Sequence, residues 1–562
     1  MEDIRIYCEN DRDYRKISMG TSLKELAAGI SHNERILAAL VDNKVKELDY
    51  ILMEPCNVRF IGYSHPDGRR TYIRSLCFVL QNAVSELYPD KVLAIDYSLP
   101  SGLYCEIREV KPLEDGRPDI YLITDEEIAV LKAKMLESIA ADLPFKKVKM
   151  SNEEAEKLFS AKHQAEKVHL MRSLERFNYS VYFLDGKADT FYGPLAPSTG
   201  CLETFDLTGF NDGFCLQYPM DGDTGRVLAM ERQSKVATAL KSHSDWCSIM
   251  GVRGVGTLNK VVRNGKIIDL INLSEALHER KYADIADQIY QRRDSVKIVF
   301  IAGPSSSGKT STSKRLAIQC RILGLNPKVI ELDNYFVDRE LTPKDQNGEY
   351  DFEALGAMDL AFLGQQLNDL LAGKEVEIPK FDFKEGRRFF NGNFMQLHEK
   401  DILIMEGIHA LNPAMIPGVD PSKVFRVYAS ALTSLSIDEN NNISTSDNRM
   451  LRRMIRDNRT RGIDPENTLM MWQSVRRGEN KNIFPFQENA DAVFNSAHIF
   501  ELPVLKYYAE PLLHRIQPSS PAYTEATRML KFLSYIIPLS PAEIAAIPPT
   551  SILREFIDGQ TL

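Results

Sequence analysis

Gly303-Pro304-Ser305-Ser306-Ser307-Gly308-Lys309-Thr310 puts two glycines, three serine hydroxyls, a lysine and a threonine within eight residues. The chemistry open to such a run is the holding of a polyphosphate. Glycines admit backbone angles and approaches that a side chain would block. Loop N–H groups and the start of a following helix face an anion. Lys309 supplies a point charge for β/γ-phosphates and Thr310 a hydroxyl ligand for Mg²⁺. Two carboxylates further on end apolar runs: Asp333 after Lys328-Val-Ile-Glu-Leu, and Glu406 after Ile402-Leu-Ile-Met. The first could orient and deprotonate a hydroxyl; the second could hold Mg²⁺ directly or through water. Between 449 and 477 stand eight arginines, at 449, 452, 453, 456, 459, 461, 476 and 477. They could close over phosphates, form a solvated face, or touch RNA, although only Trp472 supplies an aromatic among them.

Positioning these groups takes a strand, a loop and a helix. Val296 to Ala302 is apolar and β-branched, and past the loop Leu316, Ala317, Cys320 and Leu323 recur on one helical face. Strand, glycine-bounded loop and helix are the context that gives a G-x-x-x-x-G-K-[ST] match its meaning. In an open α/β sheet, ligands gather at the carboxyl ends of the strands, where Asp333 and Glu406 would stand.

The 562 residues suffice for three or four domains. A net charge of −9 argues against coating nucleic acid or anionic membrane. No apolar run nears the roughly 20 residues of a membrane span. The eight cysteines contain no C-x-x-C pair, which fits reduced thiols in a cytoplasm.

The stretches GPSSSGKTS, LDNYFVDR, GEYDFEALGAMD, PKFDFKEGRR, DILIMEGIHAL, RRMIRDNRTRG and NADAVFNSA follow one another over about 220 residues. In that order they resemble the uridine kinase / phosphoribulokinase family. The resemblance implies ATP- and Mg²⁺-dependent phosphorylation of a sugar or ribose hydroxyl. It makes Asp333 the general base and carries the phosphate contacts from Gly303 through Thr310 to Ser311. It makes Thr310 and Glu406 the metal pair. Glu353 stands where uridine kinases have their ribose-binding Asp, one methylene shorter. Arg453 joins it as a candidate for the ribose, and Arg456 and Arg461 fall in the lid. Phe381 and Arg387 fall in the stretch that contacts the nucleobase, but Phe381 lacks the family's phenol and Gly386 replaces its His.

The front half has its own likeness. SLKELA…ILAALVDNKVKELDYIL resembles a TGS domain, with a capping-box pattern at Ser22 and Glu25. GPLAPSTG, from Gly193 to Gly200, is similar to the GPHVPSTG loop of the second domain of threonyl-tRNA synthetases. The editing pairs of that domain, H-x-x-x-H and C-x-x-x-H, would fall on His65/Arg69 and Phe191/Leu195. The expectation is therefore no zinc and no aminoacyl-tRNA hydrolysis there, leaving a binding or regulatory module or a structural one.

The whole reads as a multidomain α/β chain. A TGS-like β-grasp domain spans 1–60, a synthetase-editing-like α+β domain 61–245 and a helical connector 246–294. A P-loop kinase with a mostly parallel sheet flanked by helices spans 295–520, and a helical tail 521–562. The expected activity is transfer of the γ-phosphate to the 5′-hydroxyl of a nucleoside, uridine or cytidine first. Another nucleoside or sugar, or an RNA- or ligand-responsive NTPase, are the alternatives. Partners are small molecules rather than membrane or nucleic acid, and the family's frequent tetramers leave a homo-oligomer open.

Overall fold

The computed structural model describes residues 2–562 apart from 220–224, 231–233, 345–347, 349, 383 and 417. At the N-terminus a five-stranded sheet runs in the order Asp13–Ser18, Asp3–Cys8, Asn57–Ile61, Ala38–Val41, Lys44–Lys46. The one helix on it, Leu23–Ala27, starts with the expected capping box: Ser22 accepts from the Glu25 N–H and Glu25 accepts from the Ser22 N–H. The next unit carries the 22-residue helix Pro66–Leu87 over an antiparallel sheet that includes the strand pair Lys91–Leu99 and Gly102–Glu109. A second, three-stranded sheet holds Asn178–Leu184 between Lys146–Ser151 and Lys187–Asp189.

The expected boundary at 245 falls inside the helix Ser234–Ile249, so the connector starts earlier than its composition suggests. Helices Val255–Arg263 and Ile267–Gln291 complete it. They lead into β1 (Ile298–Ala302), α1 (Lys309–Ile322), β2 (Asn326–Glu331), α2 (Leu360–Leu371), β3 (Asp401–Glu406), β4 (Val424–Ser430), α3 (Thr445–Arg456), α4 (Pro465–Asn482) and β5 (Ala492–Asn495). The sheet order is β2-β3-β1-β4-β5, every pair parallel. β1 and β3 are buried at every position, which is why they read as unbroken apolar runs.

The halves share their cores. Tyr97, Leu99 and Tyr104 of the front unit and Val236, Ala237 and Leu240 of the connector pack with Ile298, Phe300 and Tyr428 of the parallel sheet. Val255, Leu258 and Ile271 pack with Met450 and Met454 of α3 and with Met529, Leu533 and Phe556 near the C-terminus.

A short hairpin between β4 and α3, Ser436–Asp438 with Asn441–Asn442, reaches back into the front unit. The Ile95 N–H donates to Glu439 O at 2.8 Å. The Asn440 amide donates to Leu93 O, and the Asn441 amide to Thr190 O. The Glu439 carboxylate accepts from the N–H groups of Glu166 and Lys167, at the start of helix Ala165–Leu174. Lys167 is fully buried, paired with Asp189 and 3.9 Å from Asp438. Burial opposes its charge, but Asp189, Asp438 and Glu439 outweigh that and raise its pKa. Tyr192 donates to Asp438 at 2.5 Å.

In the same unit Phe191 and Leu195 lie in the apolar core, and His65 caps the helix Pro66–Leu87, accepting from the Asp67 N–H. Within the expected helical tail, the segment from Ser551 is only a 3₁₀ turn, Ile552–Glu555. Among the described residues no helix is long and apolar enough to cross a membrane.

Candidate active site

Register brings the chemistry together. Glu406 pairs across the sheet with Ile301 on one side and Glu331 on the other. The carboxyl ends of β1, β3 and β2 therefore stand level, and the phosphate-type loop, Glu406 and the turn carrying Asp333 emerge side by side.

The loop needs both its glycines. Gly303 lies against the backbone carbonyl of Ala429, where a Cβ would collide, and Gly308 sits at φ +81° at the entry to α1. Ser306 is also in the left-handed region at φ +57°. The buried hydroxyls of Ser306 and Ser307 have no hydrogen-bond partner. Unpaired donors in a glycine-bounded cradle at a helix start fit a polyphosphate. Lys309 Nζ lies 3.4 Å from Pro304 O. The Thr310 hydroxyl donates to Glu406 at 2.6 Å, an oxygen pair suited to a hard divalent cation.

Burial raises the pKa of Glu406 to about 7, against the pull of Lys309. Burial raises Asp333 as well, with Lys309 and Arg461 opposing and Glu331 adding to it. Glu353 is pushed to about 7, by burial first and then by the nearby Glu479 charge, with Arg453 and Lys309 opposing. Three carboxylates are thus held near a lysine and arginines at one end of the sheet, an arrangement typical of functional sites.

The arginines divide into two groups. Arg449 and Arg452, for which a place over phosphates, a solvated face and RNA contact were all open, are 1% and 0% exposed and act inside the protein. Arg449 pairs with Glu479 and donates to Ser305 O at 3.0 Å. Glu479 in turn accepts from the Ser305 N–H at 3.0 Å. Arg452 pairs with Glu501 and donates to Ser496, whose hydroxyl donates to Ser307 O at 2.6 Å. These two side chains fasten the loop. Arg453 donates to the Ser305 hydroxyl at 2.8 Å. Arg453, Arg456 and Arg461 converge on the buried Asp457, at 3.2, 2.8 and 3.6 Å. Asp457 opens a π-helical turn, Asp457–Arg461.

Phe381 meets Phe336 edge to face, ring centroids 5.8 Å apart. Gly386 has φ +69°, and a side chain there would meet Arg339 at 2.8 Å. Arg387 is exposed, while the adjacent Arg388 pairs with Asp359 at 3.0 Å.

Sequence reasoning missed Glu479, Asp457 and Glu555. The first two lie among arginines, Glu479 in α4 and Asp457 in the turn after α3, where acid–base spacing was the available signal. Glu555 accepts from both the N–H and the hydroxyl of Ser311, at 3.2 and 2.6 Å.

A parallel sheet with this loop and these strand-end carboxylates defines a P-loop kinase domain. Residues 298–501 match the phosphoribulokinase / uridine kinase family, and that part of the chain is a domain of it. The N-terminal region is threonyl-tRNA synthetase-like. The chain is 30% identical over 200 residues to the threonine–tRNA ligase of Desulforamulus reducens, covering 35% of this chain and 30% of that protein. It is 25% identical over 201 residues to threonine–tRNA ligase 2 of Bacillus subtilis, covering 35% and 30%. The chain thus spans about 30% of the length of the curated relatives it matches. Among solved structures it is similar to a possible uridine kinase from Bacillus stearothermophilus (18% identity, 36% of this chain, 89% of that one, TM-score 0.25). It is also similar to D-glycerate 3-kinase from Cryptococcus neoformans (14%, 45%, 87%, TM-score 0.22).

Proposed function

We propose that this protein is an ATP- and Mg²⁺-dependent kinase that phosphorylates the 5′-hydroxyl of a nucleoside, uridine or cytidine first. The observation that carries the reading is the convergence of the 303–310 loop, the Thr310–Glu406 pair and Asp333 at level strand ends. The loop N–H groups and Lys309 bind the phosphates. Thr310 and Glu406 hold Mg²⁺, which when bound draws charge from the phosphate oxygens. Asp333 accepts the proton of the attacking hydroxyl; its raised pKa suits a group that must gain a proton in the step. The acceptor oxygen bonds to the γ-phosphorus as the bond to the ADP oxygen breaks. Arg456 and Arg461, oriented by Asp457, compensate charge on the transferred group. Glu353 and Arg453 address the ribose, and Phe381 stacks on the base with Arg387 at its rim.

A second acceptor reading is favoured by Gly386. It offers no side chain to a nucleobase, and Arg339 crowds its α-carbon. A site without that partner discriminates bases weakly, so another nucleoside or a sugar alcohol is the alternative substrate.

The test is ADP release with Mg²⁺ against a panel of nucleosides and ribose sugars, with Asp333→Asn alongside. Turnover driven by one nucleoside and abolished in the variant supports the reading. ATP binding without turnover on any small hydroxyl compound refutes it.

A further inference from the structure

The first turn of α1 has three N–H groups with no partner inside the helix, those of Lys309, Thr310 and Ser311; the first intrahelical bond is from the Thr312 N–H to Gly308 O. Such donors, together with the loop, take a nucleotide's phosphates. The Ser311 donor is already occupied. Its N–H and its hydroxyl both donate to one oxygen of Glu555, and the same hydroxyl accepts from the Gln560 amide at 2.7 Å. A carboxylate on a helix-start N–H does what a phosphate oxygen does there: it is an anion accepting from the positive end of the helix.

The surroundings hold it in place. Ile552, 2% exposed, packs over Gly308 so closely that a Cβ there would clash. Leu553, Phe556 and Ile557 are buried at 0–1% exposure and anchor the segment in the core. Arg459, from the arginine turn, donates to Glu555 O at 3.1 Å and to Asp558 at 3.2 Å. Lys314 of α1 donates to Leu562 O at 3.0 Å. The buried anchors cannot leave cheaply. The Glu555 side chain and the exposed stretch from Asp558 onward can move without them.

We propose that Glu555 is an autoinhibitory gate: its carboxylate, accepting from the Ser311 hydroxyl that Gln560 orients, occupies the phosphate donor of Ser311 and must swing out before a nucleotide phosphate binds. The proposal rests on the nucleotide-site reading given above. An anion that shares a donor with the ligand lowers the apparent affinity by the fraction of molecules in which the gate is open. A phosphate brought beside the carboxylate would also meet like charge. Arg459 ties the arginine turn to the main chain of Glu555, which stays anchored while the side chain swings.

The experiment measures Kd for ATP and for adenosine, which lacks phosphates, by calorimetry on the full chain. The variants are Glu555→Gln, Glu555→Ala and, as a milder change on the exposed tail, Gln560→Ala. The gate predicts ATP binding about tenfold tighter in both Glu555 variants. It predicts a smaller gain in Gln560→Ala and unchanged adenosine binding in all. Unchanged or weaker ATP binding in the Glu555 variants, with wild-type protein binding ATP and turning it over, overturns the gate and leaves the kinase reading intact. If wild type and variants all fold yet none binds ATP, the kinase reading fails and takes the gate with it.

Discussion

The Thr310 hydroxyl donates to the Glu406 carboxylate at 2.6 Å, joining the first turn of α1 to the end of β3. One ion seated between these oxygens would tie helix and sheet together. Glu406→Gln keeps the shape and removes the charge. The Mg²⁺ concentration for half-maximal turnover should rise roughly 10- to 100-fold, the scale seen when a metal site loses a supporting group. A Mg²⁺ titration of initial rates checks this; an unmoved midpoint removes Glu406 from the metal site.

Asp333 should matter for the chemical step and little for nucleotide binding. Asp333→Asn is expected to lower kcat by about 100- to 10,000-fold with ATP Kd changed by less than about threefold. Parallel turnover and binding measurements would expose the opposite pattern, a weakened Kd with normal kcat, which would make Asp333 a binding residue.

Glu353 gives a pH signature. With its pKa raised to about 7, the folded protein holds a proton that the unfolded chain, at the ordinary value of 4.5, has lost. The stability tied to this group is complete below about pH 4.5 and is lost as pH rises through about 7. The ionised form is the better acceptor for a ribose hydroxyl, so KM for the acceptor should fall over the same rise. Glu353→Gln should flatten the KM profile and remove this group's share of the stability profile, to which Glu406, also raised to about 7, still contributes. A wild-type KM that is level between pH 6 and 8 argues against Glu353 in the acceptor pocket.

Arg449 and Glu479 form a buried pair that holds Ser305 by its N–H and its carbonyl. Truncating Arg449 alone leaves the buried Glu479 carboxylate with only the partly exposed Arg476, 3.1 Å away, as counter-ion, at an expected cost of at most about 3–5 kcal/mol in urea unfolding. Burial works against ionisation of Glu479, yet Arg449 and Arg476 keep its pKa below the ordinary value, so the pair's contribution fades as pH falls. Arg449→Met with Glu479→Leu should recover much of the stability while ATP binding stays weak, because Ser305 is still unheld. Full recovery of ATP affinity in the double variant would show that the pair does not position the loop.

Restoring a histidine at position 386 should not create base recognition. Gly386 holds φ +69°, where an L-residue costs about 1–2 kcal/mol, and Arg339 fills the space at 2.8 Å. Gly386→His is expected to lower the melting temperature with no gain in discrimination among nucleosides; a clear gain for one base would mean the loop can rearrange around the new ring.

The parts of the site visible in the sequence are those whose geometry is local. Gly303 to Thr310 has its spacing fixed by one loop, Glu406 ends a run buried on both faces, and Asp333 follows a short β-branched run that forms an edge strand exposed on one face. The double role of the arginines was hidden because exposure depends on partners far along the chain. Arg449 and Arg452 look like surface cations until Glu479 and Glu501 are folded against them. Glu555 lies in a tail with no motif, 244 residues from the serine that it engages. The shared cores were equally illegible: Val236 and Leu240 read as one side of a helix, and nothing local says that Phe300 lies opposite.

The hairpin at 436–442 bears on how the chain is made. Thr190 and Asn441 are hydrogen-bonded partners separated by 251 positions. At about 5–20 residues per second of synthesis, the front unit waits roughly 10–50 seconds on the ribosome before the hairpin exists. Throughout that interval Lys167 has Asp189 but not Asp438, and the start of helix Ala165–Leu174 lacks the Glu439 carboxylate. The front unit of a nascent chain is therefore an unfinished receptor, sealed only when the latter half of the same polypeptide arrives.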